Sequence, residues 1–199
     1  APKMFRDVDF MVLENVVLTD ALECCWHCRN AKLRGVQAEH GDYLFMHGEN
    51  IDVDGFRLNG NYSFQYCRNV VIRNAEIHSK DAFWNTEDVT VYDSVVDGEY
   101  LGWHSRNLRL VNCRISGTQA LCYAENLVLE NCTLGEDADL CFEYSSVHAE
   151  IKGRVHSVKN PRSGRIVAEE YGDIILDEHC KAPANCSIET EKSQSGEAA

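Results

Sequence analysis

Apolar and polar residues alternate along most of the chain, and the alternation restarts after a short polar pair that recurs at a nearly fixed interval. The pairs are Arg29-Asn30, Glu49-Asn50, Arg68-Asn69, Glu87-Asp88, Arg106-Asn107 and Glu125-Asn126. Alternation with a period of two predicts short strands, and a self-similar unit of about 20 residues predicts a solenoid. Helix-forming runs are absent, so each unit is interpreted as one β coil.

Each coil is predicted to contain three strand segments. Two follow the polar pair, and a third precedes the next pair, as in residues 82–86. Between the first two lies a polar or glycine corner at Gly35, Gly55, Asn74, Asp93, Asn112 and Asn131. Three strands per coil are typical of an all-β, right-handed, single-stranded parallel β-helix with about eight coils of about 19 to 20 residues. The predicted coil starts are Phe10, Asn30, Asn50, Asn69, Asp88, Asn107, Asn126 and Ser146.

Several segments carry a family resemblance, namely YSFQYCRNV, KDAFWNTEDVTVYDS, GEYLGWHSRNLRLVNC and CYAENLVLENC. They resemble the pectin-lyase-like β-helix superfamily and, within it, an uncharacterised bacterial family known as a domain of unknown function. The resemblance implies a parallel β-helix over residues 1–186 and no particular activity. Members of that family carry further coils upstream, so we expect this domain to be a fragment that lacks them. Residues 187–199 are predicted to be a polar, disordered tail.

Composition and charge limit the classes of partner that the chain is expected to bind. The chain has 199 residues, of which 44% are hydrophobic and 26% charged, as expected for one continuous core. It contains no apolar run approaching about 20 residues and no signal peptide, so a soluble, cytoplasmic protein is expected. The net charge of -13 repels phosphate groups, which argues against nucleic acid and membranes as partners. No cofactor is predicted.

The ten cysteines are interpreted as reduced thiols and not as a disulfide framework. Six of them fall on predicted interior positions: Cys24, Cys28, Cys67, Cys113, Cys122 and Cys132. In a strand, Cys25 and Cys28 would point to opposite faces and could not hold one ion together. A surface metal site formed by Cys25, His27 and His47 is a minor alternative, and no metal is predicted.

Two sets of residues compete for the interior in the segment before each polar pair. The first set is Trp26, Met46, Gln65, Trp84, Trp103, Cys122 and Phe142. The second set is His27, His47, Tyr66, Asn85, His104, Tyr123 and Glu143. Burying a stack of histidines and a glutamate without partners costs several kcal/mol, whereas burying tryptophan is favourable. The tryptophan set is therefore predicted to point inward.

With this assignment, aromatic side chains gather on the outward face of one sheet. The predicted ligand-binding residues are Tyr43, Phe45, Tyr62, Phe64, Tyr66, Phe83, Asn85, Tyr100 and Glu143. An exposed apolar patch of this kind is typical of an interaction site. The leading hypothesis is a binding or scaffold module that engages a neutral glycan or a protein partner. Self-association through this face or through the open N-terminal coil is a further hypothesis, and simple packing between coils is the structural alternative.

The alternative hypothesis is a carbohydrate-active enzyme, either a polysaccharide lyase or a glycoside hydrolase. His104 and Tyr123 lie on adjacent predicted coils, where they could serve as acid and base in a β-elimination. Asp139 and Glu143 are about 13 Å apart along a strand, which is too far for a glycosidase pair. No lysine or arginine is predicted on this face to assist a lyase. The residues therefore favour binding over catalysis.

Overall fold

Strands of successive coils pair in parallel and build a β-solenoid of about nine turns. The computed structural model describes residues 1–180 and 183–191. Its strands are β1 Val12–Glu14, β2 Val17–Leu18, β3 Arg29–Glu39, β4 Glu49–Asn59, β5 Arg68–His78, β6 Glu87–Tyr92, β7 Val95–Asp97, β8 Arg106–Val111, β9 Arg114–Ser116, β10 Leu127–Leu134, β11 Ser146–Lys159, β12 Ser163–Ile175 and β13 Cys186–Thr190. A short 3-10 helix, Pro183–Asn185, precedes β13. The predicted all-β solenoid is confirmed.

The predicted register is also confirmed. Glu49 pairs with Arg29 on one side and with Arg68 on the other, so the charged column runs in step with the coils. Within it, Arg106 lies 3.4 Å from Glu87 and 3.5 Å from Glu125, measured from guanidinium nitrogen to carboxylate oxygen. Because these side chains are exposed, each pair contributes about 1 kcal/mol or less.

Asparagine side chains tie the coils together at both predicted corners. At the first corner, the Asn69 amide donates to Asn50 at 2.7 Å and the Asn50 amide donates to Asn30 at 3.0 Å. At the second, the Asn131 amide donates to Asn112 at 2.6 Å. These corner residues have positive φ, for example 54° at Asn112, which asparagine tolerates better than most residues.

The third side of each coil differs from the prediction, because it is not a strand. Residues 42–47, 61–66, 80–85, 99–104 and 118–123 form turns, and we call each of them a turn segment. Every second residue has positive φ, as in Tyr62 at 61°, Phe64 at 56° and Tyr66 at 57°. A strand needs extended φ at each residue to send successive side chains to opposite faces. The turn segments therefore replace simple alternation by two buried positions followed by two outward positions.

Backbone hydrogen bonds still join the turn segments of neighbouring coils. The Phe64 N–H donates to Leu44 O at 2.8 Å in the preceding coil, and the Tyr66 N–H donates to Trp84 O at 2.9 Å in the following coil. Buried backbone groups are thus paired without a regular β ladder. These hydrogen bonds to the preceding and following coils fix the stacking of side chains from coil to coil.

The ends of the described chain refine two sequence predictions. Residues 187–190, which the sequence assigned to a polar tail, belong to β13 and pair with β12. Residues 192–199 lie outside the described residues. In the first coil, Phe10 and Val12 are 79% and 60% exposed. Association through that coil stays a prediction.

The cysteines predicted to lie inside are buried, and all ten are free thiols. Cys25 and Cys28 do not point to opposite faces, because the turn at this position places both in the interior. The hydrogen bond between their thiols lowers the pKa of Cys28 and raises that of Cys25. Since Cys25 is fully buried, it cannot join His27 and His47 in a surface metal site.

Candidate functional site

The turn segments place phenylalanine inside the solenoid, and this contradicts the predicted outward positions of Phe45, Phe64 and Phe83. All three side chains are 0% exposed. Their rings stack from coil to coil, with centroid distances of 5.2 Å between Phe45 and Phe64 and 5.6 Å between Phe64 and Phe83. In the next coil Gly102 takes the same place, and Leu108 and Leu121 fill the space that a side chain there would need. These phenylalanines are core residues and not ligand-binding residues.

The tryptophan set also departs from its predicted position. Trp26, Trp84 and Trp103 are half-buried and line the outside of the turn segments, whereas Gln65 is buried against the backbone. The set is split, because Cys122 and Phe142 do lie in the core. Strict alternation would put the whole set on one face. The pattern of two buried positions followed by two outward positions allows some members to be buried and others to face outward.

Tyrosine and histidine form two outward columns, as predicted. Tyr43 and Tyr62 stack with centroids 4.7 Å apart. His47 stacks on His27 at 5.1 Å and on Tyr66 at 4.9 Å. The predicted residues Asn85 and Tyr100 continue these columns, with Asn85 exposed and Tyr100 half-buried.

A cleft of about 610 Å³ opens where these columns meet the tryptophans, and we call it the aromatic cleft. It is lined by Tyr62, Gln65, Tyr66, Lys80, Asp81, Trp84, Tyr100, Trp103 and Gln119. Trp84 and Trp103 lie 5.5 Å apart, and the Tyr100 ring meets Trp103 edge to face at 5.1 Å. Small-molecule sites have this volume range and this mixture of aromatic walls with a few polar groups.

Trp84 differs from the other tryptophans in its hydrogen bonding. The Trp26 indole N–H donates to Tyr43 O at 2.7 Å, and the Trp103 indole N–H donates to Gln119 O at 2.7 Å. Gln65, at the same place in its coil, donates to Asp81 O at 3.2 Å. Within residues 1–180 and 183–191, the Trp84 indole N–H has no acceptor. It is therefore available to a ligand in the aromatic cleft.

Asp81 supplies an acceptor to the same cleft. The residue is only 7% exposed, and burial raises the pKa of its carboxyl group. No donor in the described part of the chain hydrogen-bonds to this carboxylate, and no cation forms an ion pair with it. The neighbouring Lys80 ammonium is instead 3.5 Å from Glu99 and 5.1 Å from the centroid of the Tyr100 ring. Because its oxygens are accessible from the cleft and accept no hydrogen bond from a described residue, the carboxylate is available to a ligand.

His104 and Tyr123 are brought together as predicted, with stacked rings 5.0 Å apart. They line a second cleft of about 470 Å³ with Tyr144, Asn160 and Arg162. Arg162 and Lys80 both correct the expectation that this face carries no basic side chain. Burial, reinforced by the negative charge of Glu143, raises the pKa of Tyr123. A protonated Tyr123 can donate a proton but is a poor general base.

Glu143 does not lie beside Tyr123 in the column where the sequence placed it. The Tyr123 N–H donates to Glu143 O at 2.7 Å, which is the pattern that elsewhere joins a column residue to the tryptophan position of the next coil. Tyr144 therefore follows Tyr123 in the column, at a centroid distance of 5.5 Å. The Glu143 carboxylate is largely buried and lies 3.0 Å from the Lys159 ammonium. This pairing gives Glu143 a structural contact, and its part in ligand binding stays a prediction.

Sequence reasoning missed the tryptophans, Lys80 and Arg162 as parts of these clefts. One signal was available: Tyr43, Phe45 and His47 share one parity, and so do Tyr62, Phe64 and Tyr66. Phenylalanine always takes the middle position, and residues with polar atoms take the ends. A period of four accounts for this order, whereas a period of two does not.

Two further observations concern metal binding and membrane-spanning helices. Among the described residues, no group of three or more histidine, cysteine, aspartate or glutamate side chains is arranged to hold a metal ion. In the same part of the chain, no helix is long and apolar enough to cross a membrane.

The fold and the cleft define a parallel β-solenoid with an aromatic cleft on its turn segments. The chain belongs to the family described as "protein of unknown function (DUF3737)", whose model matches residues 1–189. No curated protein and no solved structure matches the chain. The family assignment names no activity, so the geometry of the cleft carries the functional argument.

Proposed function

We propose that this solenoid is a glycan-binding module and that its binding site is the aromatic cleft. The observation that carries the proposal is the unpaired Trp84 indole N–H beside the unpaired Asp81 carboxylate, between aromatic walls. Sugar rings present hydroxyl groups, which are both donors and acceptors, around C–H faces that pack on aromatic rings. One donor, one acceptor and flat apolar walls complement such a ligand.

The size of the cleft favours a glycan over a protein partner. Its volume of about 610 Å³ falls within the range of about 300 to 1,000 Å³ typical of small-molecule sites. A stable protein interface buries about 800 Å² on each partner and needs a wider surface. The phenylalanines that would have widened this face are in the core.

Catalysis at His104 and Tyr123 has less support. A Tyr123 with a raised pKa stays protonated and is a poor base for a β-elimination, so that role would fall to His104. Their rings also stack face against face, at an interplanar angle of 23°. This contact accounts for their proximity without a reaction.

The proposal predicts which variants lose affinity for neutral oligosaccharides. Calorimetric titration with oligosaccharides of glucose, galactose, mannose, xylose and N-acetylglucosamine should identify a ligand of the wild-type chain. Tyr100→Ala removes a wall of the aromatic cleft and should weaken its binding about tenfold. Trp84→Phe keeps a ring but removes the free N–H, and a similar loss is expected.

Tyr92→Ala is the matched control, because Tyr92 is also a half-buried tyrosine but lies in β6, beneath the Arg73 guanidinium and outside the cleft. Its affinity should equal that of the wild type. The proposal fails if no oligosaccharide binds, or if Tyr92→Ala and Tyr100→Ala weaken binding equally.

A further inference from the structure

The unpaired carboxylate of Asp81 restricts the chemical class of the ligand more than the aromatic walls do. The Asp81 residue is 7% exposed and burial raises the pKa of its carboxyl group, so an ammonium group that binds there would stabilise the ionised form. Among the described residues no side chain donates a hydrogen bond to this carboxylate, and the nearby Lys80 ammonium forms its ion pair with Glu99. The missing partner is therefore sought in the ligand.

The charges around the aromatic cleft favour a cationic partner over a neutral one. Lys80 is the basic side chain in its lining, and its ammonium group already pairs with Glu99. Together with Asp81, these groups leave one uncompensated negative charge. The chain as a whole carries a net charge of -13, which raises the local concentration of cations.

The aromatic walls are themselves suited to a cation. The Lys80 ammonium lies 5.1 Å from the centroid of the Tyr100 ring, so one positive charge already rests on a wall of the cleft. Trp26 occupies the same place in its coil as Trp84 does three coils later. The Arg6 guanidinium lies over the Trp26 ring, 4.2 Å from its centroid. Trp84 has no such cover from the described residues. The chain thus supplies a cation to Trp26 and none of the described lysine or arginine side chains to Trp84, whose ring contacts Trp103 and His104.

We infer that the aromatic cleft selects an amino sugar, with the protonated amine bound to the Asp81 carboxylate and the sugar ring packed between Trp84 and the tyrosines. This inference rests on the proposed glycan-binding function and names the class of its ligand. The amine donates charge-assisted hydrogen bonds to Asp81, and a ring hydroxyl accepts one from the Trp84 indole N–H. The Tyr62, Tyr66 and Tyr100 rings provide the remaining contact surface.

The test compares three oligosaccharides with the same β-1,4 linkage that differ at one substituent: oligomers of glucosamine, of N-acetylglucosamine and of glucose. Titrations are carried out at a pH at which the sugar amine is protonated. The wild-type chain should bind the glucosamine oligomer at least about tenfold more tightly than the glucose oligomer. Asp81→Asn should abolish that preference, so that the variant binds the glucosamine and glucose oligomers with affinities within about threefold of each other.

Asp93→Asn is the control for net charge. Asp93 is at a corner outside the cleft, where Asn112 donates to it and where other coils carry asparagine, so the substitution is structurally mild. This variant should keep the wild-type preference. Circular dichroism and the thermal midpoint of Asp81→Asn verify that it is folded; removing a charge to which no described residue donates a hydrogen bond should not lower its stability.

Each outcome separates the two proposals. Equal binding of the amino and neutral oligomers would overturn the inference and leave glycan binding intact. A preference that persists in Asp81→Asn would also overturn it, because general attraction to an acidic protein would then be the cause. If none of the three oligomers binds, while another neutral oligosaccharide of the panel does, the amino-sugar inference alone is wrong. If no glycan binds, both proposals are wrong.

Discussion

Replacing Phe64 with alanine is expected to lower the free energy of unfolding by about 3 to 5 kcal/mol, as for other fully buried phenylalanines. The ring is 0% exposed and stacks between Phe45 and Phe83, and Phe56 meets it edge to face at 6.1 Å. Neighbouring coils are held by backbone bonds on both sides, so they cannot collapse into the space left behind. Urea denaturation followed by circular dichroism measures the loss.

Tyr66→Ala is the matched control for this prediction. Tyr66 is two residues further along the same turn segment, has nearly the same φ of 57°, and is 43% exposed. Its replacement should cost about 1 kcal/mol or less. In a regular strand both side chains would share one face and have similar costs. Equal losses for the two variants would contradict the in-and-out pattern of the turn segments.

Gly117→Ala is expected to lower the free energy of unfolding by about 3 to 4 kcal/mol, because both its conformation and its surroundings exclude a side chain. The residue has φ of 104°, which L-residues rarely adopt. A Cβ atom there would overlap the backbone carbonyl of Gly98 in the preceding coil and lie 2.9 Å from the Glu99 nitrogen. Backbone cannot move aside as a flexible side chain can, so the two coils would have to separate.

Gly153→Ala separates these two causes. Gly153 also has a positive φ, 75°, but a Cβ atom there would meet nothing within 4 Å. The substitution should cost about 1 to 2 kcal/mol, which reflects backbone strain alone. The thermal midpoints of both variants provide the comparison. A Gly117→Ala midpoint no lower than that of Gly153→Ala would show that the coils do not approach as closely as described.

The strands and corners of this fold were predictable from sequence because each has a local signal. Alternating Val70, Ile72 and their counterparts mark the buried face, and Asn74, Asn112 and Gly35 mark the corners, since these residue types tolerate positive φ. The polar pair fixes the register, because its charges alternate in sign from coil to coil. The strand and corner signals depend on neighbouring residues alone, and the charge signal repeats at the spacing of the coils.

The turn segments were not predictable in the same way. Phenylalanine and tyrosine rarely adopt positive φ, so nothing in their local preference indicates it at Phe64 or Tyr66. The conformation is favoured by stacking on identical rings one coil away and by the shared backbone bonds. That information lies about 19 residues away along the chain, as the spacing of Phe45, Phe64 and Phe83 shows.

The residues that line the clefts also depend on the conformation of the turn segments, which local sequence does not indicate. Alternation placed Trp84 in the core, whereas the turn segment leaves Trp84 half-buried and places it in one cleft with Asp81. Glu143 was misplaced for a simpler reason: the turn segment that contains it is displaced by one residue relative to the preceding coil. A single shift of this kind moves every side chain of the segment to another column.

Two-dimensional NMR of the indole N–H groups tests the proposed site most directly, since the chain has 3 tryptophans. Phe substitutions assign the three signals. In the free protein, the Trp84 N–H should exchange with water faster than those of Trp26 and Trp103, which donate to backbone carbonyls at 2.7 Å. Addition of the glucosamine oligomer should shift the Trp84 signal most and slow its exchange.

Trp26 provides the internal control, because it occupies the same place in its coil about 14 Å away along the solenoid. Its signal should not move during the titration. A ligand that binds while the Trp84 signal stays unchanged, or that shifts Trp26 instead, would contradict the assignment of the aromatic cleft as the binding site.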